Sequence, residues 1–244
     1  REEPIVQELA NEYLTEQGIT ILNNVTLESV SNDGDKPVIT ANNQNYTFDA
    51  VLYATGRKAN TANIGLEHTD IATNERGAIV VNDTCESSVP GVYAVGDVNG
   101  GPQFTYISLD DFRIVFGALT GNGQYTLKDR KNIPYTTFLT PPLSRVGLTE
   151  EDAINQGYTV KTKEMLVATM PRAHVNDYLK GAFKIVVDAD NDLILGATLY
   201  SQGAEELINL IKMAMDNNIP YTYFKNQIFT HPTMAENLND LCNF

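Results

Sequence analysis

"GAFKIVVDADNDLILGATLY", Gly181–Tyr200, decides the architecture of the second part of this chain. Phe183, Ile185 and Val187 alternate along one face. An Asp- and Asn-rich turn follows, and then Leu193, Leu195, Ala197 and Leu199 alternate again. Period two on both sides of a polar turn predicts an antiparallel hairpin. The flanks read as helices. Upstream, Thr149 with Asp152 three positions on forms a capping box. Downstream, Leu207, Ile208, Ile211, Ala214 and Met215 make an apolar stripe over Ala204–Asn217, with Glu205 and Glu206 at its positive end and Pro220 just beyond. The basic, polar stretch Lys128–Asn132 reads as a linker. The expected second region is therefore 131–244, an α+β domain on an antiparallel sheet.

The first region, 1–130, reads as part of an α/β fold. Pro4 suits a first helical position, and Ile5, Leu9 and Tyr13 stack at four-residue spacing beside Val6, Ala10 and Leu14. Gly18 closes that helix. "ITILNN", Ile19–Asn24, then reads as a short buried strand, which makes half of an alternating α/β unit. Gly34 and the pair Asn42-Asn43 tolerate positive φ and mark two hairpins. The apolar run Ala50–Ala54 predicts a strand buried on both faces. "GAIVVND" (77–83) and "GVYAVGD" (91–97) read as further strands.

Composition excludes several classes. The chain has 244 residues, 42% of them hydrophobic and 20% charged, as a globular protein with one large or two ordinary domains would. Its net charge of -14 argues against nucleic acid, whose phosphates require a basic face, and against an anionic membrane surface. No apolar run reaches membrane-spanning length. The opening "REEPIVQELA" is charged and amphipathic, unlike a signal peptide. The expectation is a cytoplasmic protein. Cys85 and Cys242 share no motif, so they predict reduced thiols and neither a zinc site nor a CxxC pair.

Two constellations carry possible chemistry. In "VYAVGDVNGG" (92–101) a strand would deliver Gly96 and Asp97 at its C-terminal end, where open α/β sheets bind ligands. Gly96 allows close backbone approach, and Asp97 can accept hydrogen bonds from sugar-like hydroxyls. A helix starting near Phe104 would direct its N–H groups at the same place. A flavin suits that arrangement. By spacing alone, a strand–turn–helix connection without ligand fits equally well. Gly56 and Arg57 in "YATGRKAN" could lie near a nucleotide or form a tight turn with a solvated arginine. "THPTMAEN" (230–237) sets His231 against Pro232, with Glu236 five residues on. This is either a polar turn or an imidazole that a carboxylate orients for acid–base work. His68 and His174 share no ligand spacing, and no metal site can be placed.

The order of segments settles the alternatives. "ATGR", "GVYAVGD", "TPPLSRVGLTEEDA", "ILGATLYSQGAEELI" and "HPTMAE" together resemble the pyridine nucleotide-disulfide oxidoreductases, over the whole chain. "GGPQFTYISLDDFRIV", "TPPLSRVG" and "IFTHPTMAENLNDL" look most like the reactive-chlorine-resistance branch, whose activity is linked to copper(II) reduction. The chain departs from the family at Ala59, where a proline is common, and it has Cys242 alone where mercuric reductases carry a terminal cysteine pair. The resemblance implies the C-terminal portion of a longer enzyme, with the FAD-binding glycines, the redox CxxxxC and the nicotinamide-binding glycines upstream of Arg1. The first region would then be part of a FAD/NAD-binding region and the second an interface domain of a homodimer. The implied parent reaction passes a hydride from NAD(P)H through FAD and a disulfide to a small-molecule or metal-ion acceptor. By the same resemblance Asp97 meets the ribityl chain. Gly56, Arg57 and Gly96 lie by the cofactor, and Gln103, Phe104, Thr105 and Tyr106 face the flavin pyrimidine. His231 and Glu236 serve the partner's disulfide across a two-fold axis, with a cis bond at His231–Pro232. As an isolated chain, the alternative is a non-catalytic dimerisation module that lacks FAD and NAD(P)H.

Overall fold

The structure is a computed structural model and describes residues 2–244, so the first position of the expected 1–130 region lies outside it. Two compact units are present. One runs from Leu22 to Arg130, and the other joins the segment through Ile21 to Lys131–Phe244. The units divide at Arg130/Lys131, but the N-terminal helix belongs to the unit expected to begin at 131.

That helix, α1 (Pro4–Glu16), has Pro4 in its first turn, and Gly18 follows it at φ 81°. In the other unit, β1 (Leu27–Asp33), β2 (Lys36–Ala41) and β3 (Gln44–Thr47) form an antiparallel meander. Its two turns contain Gly34 and the pair Asn42-Asn43, all at positive φ. Helix α2 (Thr105–Thr120) completes that unit's main elements.

The other strands expected here do not form. Ile19–Asn24 and Ala50–Ala54 have no ladder partner, and Leu52 is 89% exposed. Gly77–Asp83 and Gly91–Asp97 make only isolated bridges, such as Thr73 to Ile79 and Glu86 to Tyr93. Apolarity alone does not make a strand. A strand buried on both faces also needs neighbouring strands to hydrogen-bond with, and among the described residues none is supplied to these runs.

The second unit is built on β4 (Tyr135–Thr137), β5 (Leu143–Gly147), β6 (Val160–Leu166), β7 (Ala182–Asp188) and β8 (Ile194–Tyr200). They are ordered β4-β5-β8-β7-β6, and every pair is antiparallel. The hairpin read from Gly181–Tyr200 is β7–β8. Phe183 opposes Leu199 and Ile185 opposes Ala197, as the alternation requires. An irregularity at Val186/Val187 then changes the register, so Ile194 opposes Val187 and enters the core, whereas Leu195 is only half-buried.

Both faces of this sheet are covered. On one, Phe183, Ile185, Val187, Ala197 and Leu199 meet α5 (Ala204–Asp216), α6 (Tyr221–Asn226) and α7 (Asn237–Leu241). The striped face of α5 buries Leu207, Ile208, Ile211 and Ala214. On the other face, Tyr200 and Leu143 meet Val6 and Tyr13 of α1. The Tyr13 hydroxyl accepts the Gly181 N–H at 2.8 Å. The capping box at Thr149–Asp152 is present and opens α3 (Glu150–Asn155), and a short helix, α4 (Pro171–Val175), follows β6.

Lys184, on the α1 side of the sheet, is fixed by three carboxylates. Its Nζ lies 3.0 Å from Glu3, 2.7 Å from Glu150 and 3.0 Å from Glu164, and its side chain is only 6% exposed. Glu3, itself buried, also accepts the Glu150 N–H at 2.8 Å. Burial works against the ammonium, but hydrogen bonds to Glu150, Glu3 and Glu164 outweigh it and hold the Lys184 pKa above the ordinary lysine value. The contribution of the shift to stability is therefore complete below the ordinary lysine pKa and is lost only as pH rises through the folded-state value.

Removing Lys184 would strand Glu3 as an unpaired buried charge. Lys184→Ala should cost about 3–5 kcal/mol in denaturant unfolding at neutral pH. The pair Lys184→Met with Glu3→Gln should cost less than Lys184→Ala alone. A loss under about 1 kcal/mol for Lys184→Ala would show that the network does not hold α1 to the sheet.

Candidate functional site

Residues Gly96–Asn99 form a short 3-10 turn between an extended segment and the approach to α2. Gly96 sits at φ 70°, a left-handed conformation that favours glycine, and a Cβ there would press on the Ser108 side chain. Asp97 follows at the rim of a cleft of about 1210 Å³. Arg57, Lys58, Arg76, Gly100, Gly101, Gln103 and Phe104 also line it. Arg57 Nη1 stands 3.6 Å from Asp97 Oδ2, with both side chains largely in solvent, which orients the pair more than it stabilises it. Phe104, the N-cap of α2, has no side-chain oxygen to offer the first-turn N–H groups. Its ring stacks on Tyr106 with centroids 5.0 Å apart.

Of the expected cofactor residues, the structure gathers Arg57, Asp97, Gln103 and Phe104 at one cleft. Thr105 and Tyr106 continue from it into the first turn of α2. Gly96, at φ 70°, and Gly56, at φ 116°, precede Asp97 and Arg57 without lining the cleft themselves.

The sequence motifs do not reveal the support beneath the turn. Asp111, wholly buried on α2, accepts the Gly96 N–H at 2.7 Å and Asn99 Nδ2 at 2.9 Å. Its other oxygen accepts Arg130 Nη2 at 2.5 Å, and Arg130 Nε donates to Asp110 at 2.8 Å. Arg130, which the sequence places in a polar linker, is only 11% exposed. A signal was available: Ile107, Asp111 and Ile114 share the buried face of α2, and a carboxylate in an apolar stripe requires a buried partner.

The second constellation lies in the other unit. His231 Nδ1–H donates to Glu236 Oε2 at 2.7 Å. The other oxygen of Glu236 accepts the Thr233 N–H at 3.1 Å. The hydrogen bond from His231, aided by Thr233, holds the Glu236 carboxyl below the ordinary carboxylate range. The imidazole is 67% exposed and Glu236 18%. With Nδ1 committed to the carboxylate, Nε2 is the nitrogen left to accept a proton from outside. The His231–Pro232 peptide is cis, as is Thr140–Pro141. Both cysteines are buried and free, and burial pushes the Cys85 thiol up to about 11 and Cys242 to about 12. Neither is a thiolate nucleophile at neutral pH. Among the described residues no group of three or more His, Cys, Asp or Glu side chains could hold a metal ion.

Comparison with known proteins identifies the family. Residues 1–111 match the pyridine nucleotide-disulphide oxidoreductase family, and residues 133–242 match the dimerisation domain of the same family. The chain belongs to the pyridine nucleotide-disulphide oxidoreductases. It is 45% identical over 228 residues to the probable pyridine nucleotide-disulfide oxidoreductase RclA of Escherichia coli, a match covering 93% of this chain and 52% of that one. A mercuric reductase of Staphylococcus aureus is 34% identical over 240 residues, covering 97% of this chain and 44% of the relative. The solved structure of the Cu(II) complex of HOCl-induced flavoprotein disulfide reductase RclA from E. coli superposes with a TM-score of 0.95 at 42% identity, covering 99% of this chain and 55% of that one. The chain thus spans about half the length of the relatives it matches. Membership of this family of flavoprotein oxidoreductases agrees with the resemblance read from the motifs. Among the described residues no helix is long and apolar enough to cross a membrane.

Proposed function

We propose that this chain is the C-terminal portion of a FAD-dependent pyridine nucleotide-disulfide oxidoreductase. The single observation that carries the reading is the His231–Glu236 hydrogen bond of 2.7 Å, in a chain whose family performs disulfide redox chemistry. Of the expected region up to Arg130, residues from Leu22 onward contribute to the nucleotide-binding region, and Lys131–Phe244, against which α1 packs, forms the dimerisation domain.

The donor set of the cleft fits a flavin. Asp97 offers a carboxylate to polyol hydroxyls, and Gly100 and Gly101 leave its wall without side chains. Gln103 and Phe104 line the cleft beside the N-terminus of α2, Thr105 and Tyr106 follow in its first turn, and the partial positive charge of that helix end suits an electron-rich ring edge. Gly56, Arg57 and Gly96 shape the backbone and charge around Asp97. FAD would supply electron transfer between NAD(P)H and a disulfide. His231 takes or returns the thiol proton at Nε2, and Glu236 fixes the tautomer and stabilises the imidazolium. The final acceptor is a small molecule or a metal ion. One similar solved structure is a Cu(II) complex and one relative is a mercuric reductase, and both support a metal ion as substrate. Two buried, unpaired thiols favour a reducing, cytoplasmic setting, to be checked by fractionation.

In the parent enzyme His231→Ala should lower kcat by ~100- to 10,000-fold while KM for the nucleotide moves by less than about threefold. Glu236→Gln should cost less than His231→Ala, because the ring remains. Turnover of His231→Ala within about twofold of wild type would leave only the polar-turn reading of this segment.

A two-fold homodimer forms through the second unit. The family description of residues 133–242 supports this, as do exposed Leu210, Met213, Tyr223 and Ile228. Light scattering at micromolar concentration should give twice the chain mass for the parent enzyme, and a purely monomeric result would contradict it.

A further inference from the structure

The turn that carries Asp97 is fastened at both ends by one side chain. Asp111 Oδ2 holds the Gly96 N–H at the start of the turn and Asn99 Nδ2 at its end. Asn99 carries the restraint onward, since its Oδ1 accepts the Gly101 N–H at 3.0 Å. The path from Gly96 to Gly101 along the cleft wall is thus tied to one carboxylate on α2. That carboxylate is fully buried, and its charge is balanced by Arg130. Arg130 in turn bridges to Asp110, so its planar fork is held at two points.

We propose that Asp111, backed by Arg130, is a positioning residue that sets the direction of Asp97 and so the affinity of the cleft for the flavin polyol. The proposal rests on the flavin reading above. Asp111 does not reach the cleft itself and acts only through the turn. An amide cannot substitute for it. Asn at this position would have one acceptor oxygen, and if that oxygen served Gly96 and Asn99, its NH₂ would face the Arg130 guanidinium donor to donor. Asp110 provides a built-in comparison, because it shares Arg130 but makes no bond to the turn.

The test has two readouts. In the parent enzyme, Asp111→Asn should weaken FAD binding about tenfold or more, and Asp110→Asn should stay within about threefold of wild type. In the same proteins, hydrogen exchange of the peptide covering residues 94–101 should rise about tenfold in Asp111→Asn and little in Asp110→Asn. Arg130→Lys keeps the charge but loses the fork, so it should fall between the two. It also keeps the proposal testable if Asp111→Asn does not fold. Equal losses from Asp110→Asn and Asp111→Asn would reduce the cluster to a general stabilising ion pair and overturn the proposal. Raised exchange with unchanged FAD affinity would overturn it too, because the turn would then not govern the cofactor. Wild-type enzyme that binds no FAD would instead remove the flavin reading. The exchange pattern alone would then decide whether Asp111 holds the turn, and unchanged exchange would show that it does not.

Discussion

A charge taken out of water must be met by opposite charge and hydrogen bonds, and both units of this protein are organised around one such requirement. In the second unit the charge is the Lys184 ammonium. It sits on a strand whose residues are all buried, and three carboxylates from outside that strand converge on it. Glu3 comes from the start of α1, Glu150 from the first turn of α3 and Glu164 from β6. The second face of the sheet is covered because these groups cannot leave the lysine without stranding a buried ion. The apolar contact of Tyr13 and Val6 with Tyr200 and Leu143 adds area to an arrangement that the charges specify.

In the first unit the charge is the Asp111 carboxylate. Its hydrogen bonds reach a backbone amide, a side-chain amide and a guanidinium, and they convert a glycine-rich turn into a fixed surface. Such a surface is what cofactor recognition needs, since a carboxylate that must find its direction on binding loses affinity to ordering. The His231–Glu236 pair follows the same logic at an exposed position. There the carboxylate is the more buried partner, held by Thr233, and the imidazole is presented to solvent.

The sequence shows these features unevenly. The β7–β8 hairpin, the stripe of α5 and the capping box at Thr149 depend on neighbours a few residues apart, so periodicity and turn chemistry reveal them. The Ile19–Asn24 and Ala50–Ala54 runs read as strands and are not, because apolarity says that a segment can be buried, whereas a ladder needs a partner that local pattern cannot supply. The membership of α1 in the second unit involves contacts such as Glu3 with Lys184 and Tyr13 with Tyr200, and no local pattern links residues that far apart. Arg130 resembles a solvated linker residue because its partners, Asp110 and Asp111, lie about one α2 helix upstream. Glu236, by contrast, is legible because five residues and a proline turn bring it back onto His231.

Under the proposed function, the Asp97 turn is the surface that contacts the flavin. The most direct measurement is a titration of FAD into the parent enzyme and its Asp97→Ala variant, followed by flavin fluorescence. That role of Asp97 predicts one FAD per wild-type chain and an affinity lower by about tenfold or more in the variant, as expected when a charged hydrogen-bond acceptor is removed from ligand hydroxyls. Equal affinity in the two proteins would contradict it.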